Sequence, residues 1–532
     1  MTNAARLLAA AEAAALLALV WMQWIGVGHH KDLHPWDELH YYWAGVDLLA
    51  GVLPALEWAP LYSLAYAALS LLPIDGHVPD TMCSLCAFAA PLALWWALRC
   101  IVPSPIAVAA AAWFLTSPVA LYSRPEGPSV LPSVYVFSAV FAFLAVGALA
   151  RNRLWLAFAL LVVVSSIRAE ALPWLLAVTV VAATSRSLRD RRGAAMAMVV
   201  IALCLTALSL LHPGYRDRSW LAFQQSYGRD ACLSDLAEEW VRLDGKVDPA
   251  RAQQLPHLLD AAFHDPWPYV ERDFEGASSV LSAMMANPQA FFAKVEANLL
   301  QLPTTLGYAW RTTLLPPDWS VRCLCVLVLI ALVGWWRERF RRRIDGDGAR
   351  RLLPRLLWTS PLVLAIPLCV SSRPELALPT IPLVAWFVGR GVALVVPSLW
   401  QRRSVAIATI ALVLGLALAV PGPFRGPAEP MQYRDGVTLL REQLPRHEVR
   451  LMSTFWAPLL RLIPRSDVIS LELRACGQET LASCLAAGDA NAVLVTPQFE
   501  HESARFPDGL APLHAEPWRL VAQRGDCRLY TR

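Results

Sequence analysis

Two adjacent carboxylates, Asp37 and Glu38, sit in the stretch "HPWDELHYYWAG", directly after a long apolar run. Three Arg-x-Glu pairs follow, each also at the end of an apolar run. They are Arg124 and Glu126 in "SRPEG", Arg168 and Glu170 in "SIRAEALPW", and Arg373 and Glu375 in "SSRPELALPTIP". Charge near hydrocarbon is costly and usually faces an interior cavity or a partner. A carboxylate placed there can take a proton from a reacting group. Arginine's planar, permanently charged fork suits a phosphate. Local alternatives stay open: Asp37 as a helix N-cap and Glu38 as a partner of the helix dipole, or each Arg-x-Glu as a salt bridge with a snorkelling arginine. Helical neighbours point about 100° apart, so one member of the acidic pair can face a site while the other caps or orients. His29, His30, His34 and His40 lie close by but show no metal-ligand spacing. No resident cofactor or metal is expected; a divalent ion at Glu126 with a loop histidine is left open.

Those residues must be positioned by a very apolar chain. It has 532 residues, 56% of them hydrophobic and only 17% charged, where soluble domains carry about 25% charged residues. Its mean hydropathy is +0.43. Apolar segments of roughly 17–25 residues recur, each long enough to cross a bilayer. The expected class is therefore an α-helical polytopic membrane protein. The arginines fall in short clusters between apolar runs, and nothing points to nucleic acid. Taking those clusters as cytoplasmic threads about 11 spans through the bilayer, with the N-terminus inside and the C-terminus outside. The spans fall at 5–27, 81–99, 105–122, 128–149, 154–167, 171–185, 193–211, 320–336, 355–371, 377–397 and 404–420. The stretch 58–73 would invert every later loop if it crossed, so it is read as an interfacial helix. A second such helix covers 37–50, with Leu39, Tyr42, Trp43, Val46 and Leu49 on one apolar face. This topology puts the acidic pair and all three Arg-x-Glu pairs on the outer side.

The domain reading is a membrane domain over 1–420, with an outer loop at 28–80 and a long outer segment at 212–318, then an outer α/β domain over 421–532. In that last part "EVRLMSTF", "SDVISLEL", "NAVLVTP" and "CRLYTR" read as strands, and "GVTLLREQL" and "ETLASCLAAG" as helices. It holds no nucleophile motif and no glycine-rich phosphate loop. Cys476, Cys484 and Cys527 allow a disulfide in an oxidising compartment, with the pairing open. In the outer segment "PQAFFAKVEANLLQL" has helical spacing. The aromatic run "FHDPWPYVERDF" either lines a sugar or lipid groove or anchors the chain at the interface. A lipid-linked sugar or envelope-precursor transporter shares the charge-in-membrane signature, and a non-catalytic scaffold is a third class. Against a transporter, the charges gather at one face and no repeat is visible.

The order of these pieces resembles the GT-C fold of glycosyltransferases that use lipid phosphosugars, most nearly the protein O-mannosyltransferase and aminoarabinose transferase branch. The carrying stretches are "DELHYYWAG", "APLYSLAYAALSLL", "SRPEG", "SIRAEA" and "RPELALPTIPL", over roughly residues 5–400. The resemblance implies a hexosyl- or pentosyltransferase that moves a sugar from a polyprenyl-phosphate donor to an acceptor hydroxyl, with inversion. It implies Asp37 as general base, with Glu38 or Glu126 orienting the acceptor or tuning Asp37. Arg124, Arg168 and Arg373 would hold the donor phosphate; His40, Tyr41, Tyr42 and Glu170 would position substrate. Glu126 stands where the family often has Asp, and Arg168 where it often has Lys. Implied partners are the donor, membrane lipids and an acceptor protein, lipid or glycan. The Ala-, Leu- and Arg-rich composition and the lack of targeting signals point to a bacterial inner membrane, with the active site facing the periplasm.

Overall fold

The computed structural model describes residues 3–24, 37–52, 60–72, 78–117, 133–168, 172–183, 213–242, 265–310, 317–341, 378–400, 402–419, 432–444, 448–454, 468–473 and 478–532, apart from residues 152, 396 and 505, with isolated positions between them. Apolar helices run at Asn3–Trp24, Val78–Leu98, Ser104–Leu115, Ser133–Ala150, Leu154–Ile167, Leu172–Ala183, Pro317–Arg341, Ile381–Val395 and Arg403–Ala419. Each coincides with an expected span. The expected spans at 193–211 and 355–371 lie outside the described residues, apart from isolated positions. Among the described residues three helical stretches are long and apolar enough to cross a membrane: Thr81–Leu98, Trp319–Trp336 and Leu378–Val395. The chain is thus a multi-pass helical protein by length and composition of its helices.

The chain divides into two compact units, Met1–Val20 with Gly51–Ala65 and Met82–Val420, and Trp21–Ala50 with Tyr66–Thr81 and Pro421–Arg532. In the first unit, two features join the helices. Helices Pro317–Arg341 and Ile381–Val395 cross so closely that a Cβ on Gly391 would meet the Ala331 Cα at 2.5 Å. Small residues permit such approach where apolar burial gives helices in lipid little drive to associate. Near the chain start, Glu12 is 1% exposed. It accepts from the Trp95 indole at 3.1 Å and from the Ser104 hydroxyl, and pairs with the Arg99 Nε at 3.3 Å. A buried carboxylate survives there because three donors replace its water.

The segment expected outside the membrane is a helical lobe of the same unit, made of Pro213–Arg242, Trp267–Asp273, Val280–Ala286 and Pro288–Trp310. Its small core is Phe223, Val270, Phe274, Ala277, Ala283 and Phe291. The aromatic run divides: Phe274 is wholly buried in this core, while Trp267 is half exposed. Ser279 and Ser282 cap Val280–Ala286 reciprocally. Lys294, buried, is held by the Asp230 carboxylate and by the Ser226 hydroxyl at 2.8 Å. Burial pulls its amine down from the ordinary value, and Asp230 restores part.

The second unit is built on a five-stranded sheet, β1 Val449–Ser453, β2 Val468–Glu472, β3 Ala492–Val495, β4 Arg519–Arg524 and β5 Cys527–Thr531, in the order β2-β1-β3-β5-β4. β2, β1 and β3 run parallel; β5 is antiparallel to β3 and β4. The central strand β3, "AVLV", is buried at every position, as a strand covered on both faces must be. One face packs Val437, Leu440, Leu451, Ile463, Leu494 and Leu529, the other Leu481, Leu485, Val493, Phe499, Leu513 and Tyr530. Thr480 and Ser483 cap helix Leu481–Ala487 reciprocally, and Asp508 accepts from the Leu481 and Ala482 amides at 2.8 and 2.9 Å. The disulfide is Cys476–Cys484, and Cys527 is buried outside it.

The two stretches expected to lie at the interface are helical, as Asp37–Leu49 and Pro60–Ser70. The first is a full member of the second unit's core. Leu39, 1% exposed, joins the cluster of Val437, Leu440 and Leu529, and Tyr42 and Trp43 pack against it. Its apolar face covers the sheet, while Leu49 at its end is 48% exposed.

Candidate functional site

Asp37 opens helix Asp37–Leu49. Its side chain lies outside the described residues, as do Arg124, Glu126, Glu170 and Arg373. One residue on, Glu38 is 3% exposed and accepts a short hydrogen bond from the Tyr66 hydroxyl. Tyr66 is fully buried in helix Pro60–Ser70. Tyr66 thus meets a carboxylate 28 residues earlier in the chain. Burying a carboxylate is costly unless donors compensate, and Tyr66 supplies one. Tyr41 is also fully buried, His40 half-buried. Tyr42 meets the Tyr66 ring edge-on at 5.9 Å. Burial pushes the Tyr42 phenol up from its ordinary value, and Arg441 draws part of that back. Glu38 therefore stands among buried tyrosines, held by the Tyr66 hydroxyl.

In the first unit, Arg168 caps the C-terminal end of helix Leu154–Ile167, where the chain turns extended at φ −137° and ψ 113°. It is 6% exposed. Its Nη2 donates to the Tyr135 hydroxyl at 2.9 Å, and its guanidinium centre sits 4.2 Å from the Tyr135 ring centroid. Stacking and hydrogen bonding from one tyrosine hold the fork in a fixed plane. One turn below, Val164 forms part of the wall of a small apolar pocket of about 20 Å³. Val146, Leu149, Leu161, Trp174 and Leu383 line it too, from helices Ser133–Ala150, Leu154–Ile167, Leu172–Ala183 and Ile381–Val395.

Sequence reasoning named Glu38 and Arg168 but not their partners. Tyr66 lies inside the quoted "APLYSLAYAALSLL" and Tyr135 in the apolar run after "SRPEG". A tyrosine within an otherwise apolar helix was the available signal, since a buried hydroxyl needs a polar partner. Among the described residues no group of three or more His, Cys, Asp or Glu side chains is placed to hold a metal ion.

No family model matches the chain, and no curated protein matches it in sequence. Among solved structures it is similar to the oligosaccharyltransferase of Archaeoglobus fulgidus in the apo form. There the TM-score is 0.46, with 13% identity over 96% of this chain and 72% of that one. The same archaeal protein, AglB, in complex with an inhibitory peptide and a dolichol-phosphate gives a TM-score of 0.46 at 11% identity, over 96% and 72%. ArnT from Cupriavidus metallidurans bound to undecaprenyl phosphate gives 0.40 at 12%, over 100% and 98%.

Proposed function

We propose that this chain is a membrane glycosyltransferase of the GT-C type. It moves a sugar from a polyprenyl-phosphate donor to an acceptor hydroxyl at the outer face of a bacterial inner membrane. The observation that carries this reading is Arg168, buried, oriented by Tyr135 and standing one turn above an apolar pocket. The donor's phosphate would sit on the guanidinium, with its isoprenoid tail against the apolar helices around it. Arg124 and Arg373 would complete the anion site. The Cys476–Cys484 disulfide supports an oxidising compartment for the last domain.

In the proposed step the acceptor oxygen attacks the anomeric carbon as the bond from that carbon to the phosphate oxygen breaks. The bonding pair leaves with polyprenyl phosphate, whose growing charge the arginines stabilise. The acceptor's proton passes to the Asp37 carboxylate. Glu38, held by Tyr66, fixes the helix that carries Asp37, and Glu126 would orient the acceptor. One displacement on one face inverts the anomeric centre.

The test is release of polyprenyl phosphate from labelled polyprenyl-phosphate sugars by the purified protein in lipid. Asp37→Asn, checked for folding, is expected to lower release about a hundredfold or more, the usual contribution of a general base. Release at the wild-type rate in the variant would remove Asp37 from the mechanism. No release with any donor by the wild type would remove the transferase.

A further inference from the structure

Helix Leu154–Ile167 has Arg168 at one end and Arg153 at the other, about 20 Å apart along 14 residues. Around Arg153 the chain gathers further cations. A tight turn joins it to Arg151: the Arg151 amide donates to the Gly147 carbonyl at 3.2 Å, and the Arg153 amide to the Ala148 carbonyl at 2.8 Å. Arg99 follows helix Val78–Leu98, and both it and Arg153 act electrostatically on Arg151. Arg192 is exposed next to Gly193, which lies so near that a Cβ there would meet the Leu154 Cδ2 at 3.1 Å.

Arg151 is set in place by its neighbours. A Cβ on Gly147 would meet the Trp96 ring at 2.5 Å, so the missing side chain seats that ring against helix Ser133–Ala150. The half-buried Arg151 guanidinium lies over the same ring, 3.5 Å from its centroid. It donates to the carbonyls of Gly147 at 2.9 Å and Trp96 at 2.8 Å. Those bonds use two of the five N–H groups of the fork, and among the described residues no carboxylate pairs with it. The nearby Glu12 is already engaged by Arg99, Trp95 and Ser104. An oriented cation with spare donors and no counter-charge is made to receive an anion.

The surroundings decide which anion. Trp155 and Leu156, in the first turn after Arg153, are large exposed apolar side chains. Tryptophan of this kind belongs at the headgroup level of a bilayer, and apolar surface beside the cations suits acyl chains. We infer that Arg151, Arg153 and Arg192 form a binding site for the phosphodiester headgroup of an anionic phospholipid, with Trp96 beneath Arg151 and with Trp155 and Leu156 against the acyl chains. Basic pockets between membrane helices hold such headgroups. This site lies at the opposite end of helix Leu154–Ile167 from Arg168, so it is separate from the proposed donor site and does not rest on the transferase reading.

In the experiment the full chain, purified in a neutral detergent, is titrated with phosphatidylglycerol, cardiolipin or phosphatidylcholine, and lipid-bound protein is resolved by native mass spectrometry. The two anionic lipids are expected to bind about tenfold tighter than phosphatidylcholine. Arg151→Gln and Arg153→Gln should each weaken phosphatidylglycerol about fivefold, the worth of one arginine at a charged membrane surface. Arg153 is exposed, so its variant tests the site even where loss of the Arg151 stack loosens the helices. Arg403→Gln removes an exposed arginine at the start of helix Arg403–Ala419 and should leave binding unchanged. Equal affinity for anionic lipid and phosphatidylcholine overturns the proposal, as does unchanged phosphatidylglycerol binding in either variant. An equal loss in Arg403→Gln would mark diffuse attraction and overturn it too. Displacement of phosphatidylglycerol by inorganic phosphate would assign the cluster to a free anion instead of a lipid.

Discussion

Arg168 shows how much one side chain can do at the end of an apolar helix. A lysine in its place would keep the charge but lose the planar fork, the stack on Tyr135 and the fixed direction. Arg168→Lys is therefore expected to raise the donor KM about tenfold, roughly 1.4 kcal/mol, with a smaller change in kcat. Initial rates across a range of donor concentrations check this, and an unchanged KM would take Arg168 out of the phosphate site. Glu38 teaches the complementary lesson. Its place after an apolar run was legible in "DELHYYWAG", because charge at a membrane boundary is conspicuous. Its pairing with Tyr66 was not, because nothing local links residues 28 apart. The cysteines behaved likewise: three were visible candidates, and only the folded chain shows that Cys476 and Cys484 meet while Cys527 stays buried.

At the scale of elements, the crossing of Pro317–Arg341 with Ile381–Val395 depends on the absence of side chains at Gly334 and Gly391. A Cβ on Gly334 would meet the Gly391 carbonyl oxygen at 2.0 Å, backbone that cannot swing aside. Gly391→Ala should cost about 1–3 kcal/mol, as overpacking does, and lower the denaturation midpoint of the protein in lipid. The lobe carries a pH dependence of its own. Burial pushes the Asp273 carboxyl up, but hydrogen bonds from Arg272 and from Tyr227 at 2.6 Å outweigh it and hold the group below its ordinary value. A carboxyl depressed in the folded state adds stability above its unfolded value of about 4 and loses it as pH falls through the lower folded value. Hydrogen exchange in Trp267–Asp273 should therefore quicken below about pH 4, and Asp273→Asn should remove most of that acid limb. Helices and parallel strands were readable in the sequence because their apolar periods are strong. β4, "RLVAQR", was not: it is an exposed edge strand whose residues show no buried alternation.

At the scale of the whole molecule, the decisive fact is that Asp37–Leu49 belongs to the same unit as the last hundred residues. An amphipathic helix reads the same in sequence whether it covers lipid or a sheet, so the surface placement inferred from its pattern could not reveal its partner. Ending the chain at residue 420 would leave Asp37, Arg168 and every apolar helix in place yet strip the cover from Leu39, Tyr42 and Trp43. Such a chain is expected to release no polyprenyl phosphate, and full activity of the truncated form would show that the tail is dispensable.

That shared core also imposes an order of events during synthesis. Leu39 leaves the ribosome about 400 residues before Val437, its neighbour in the finished fold, a delay on the order of 20–80 s at usual elongation rates. Through that interval the helix has its tyrosines and tryptophan but no sheet to rest on, and the membrane surface is the available shelter. The nascent chain would then hold this helix in lipid headgroups until the final strands arrive to cover it, so the second unit would be complete only when its last residues have been made.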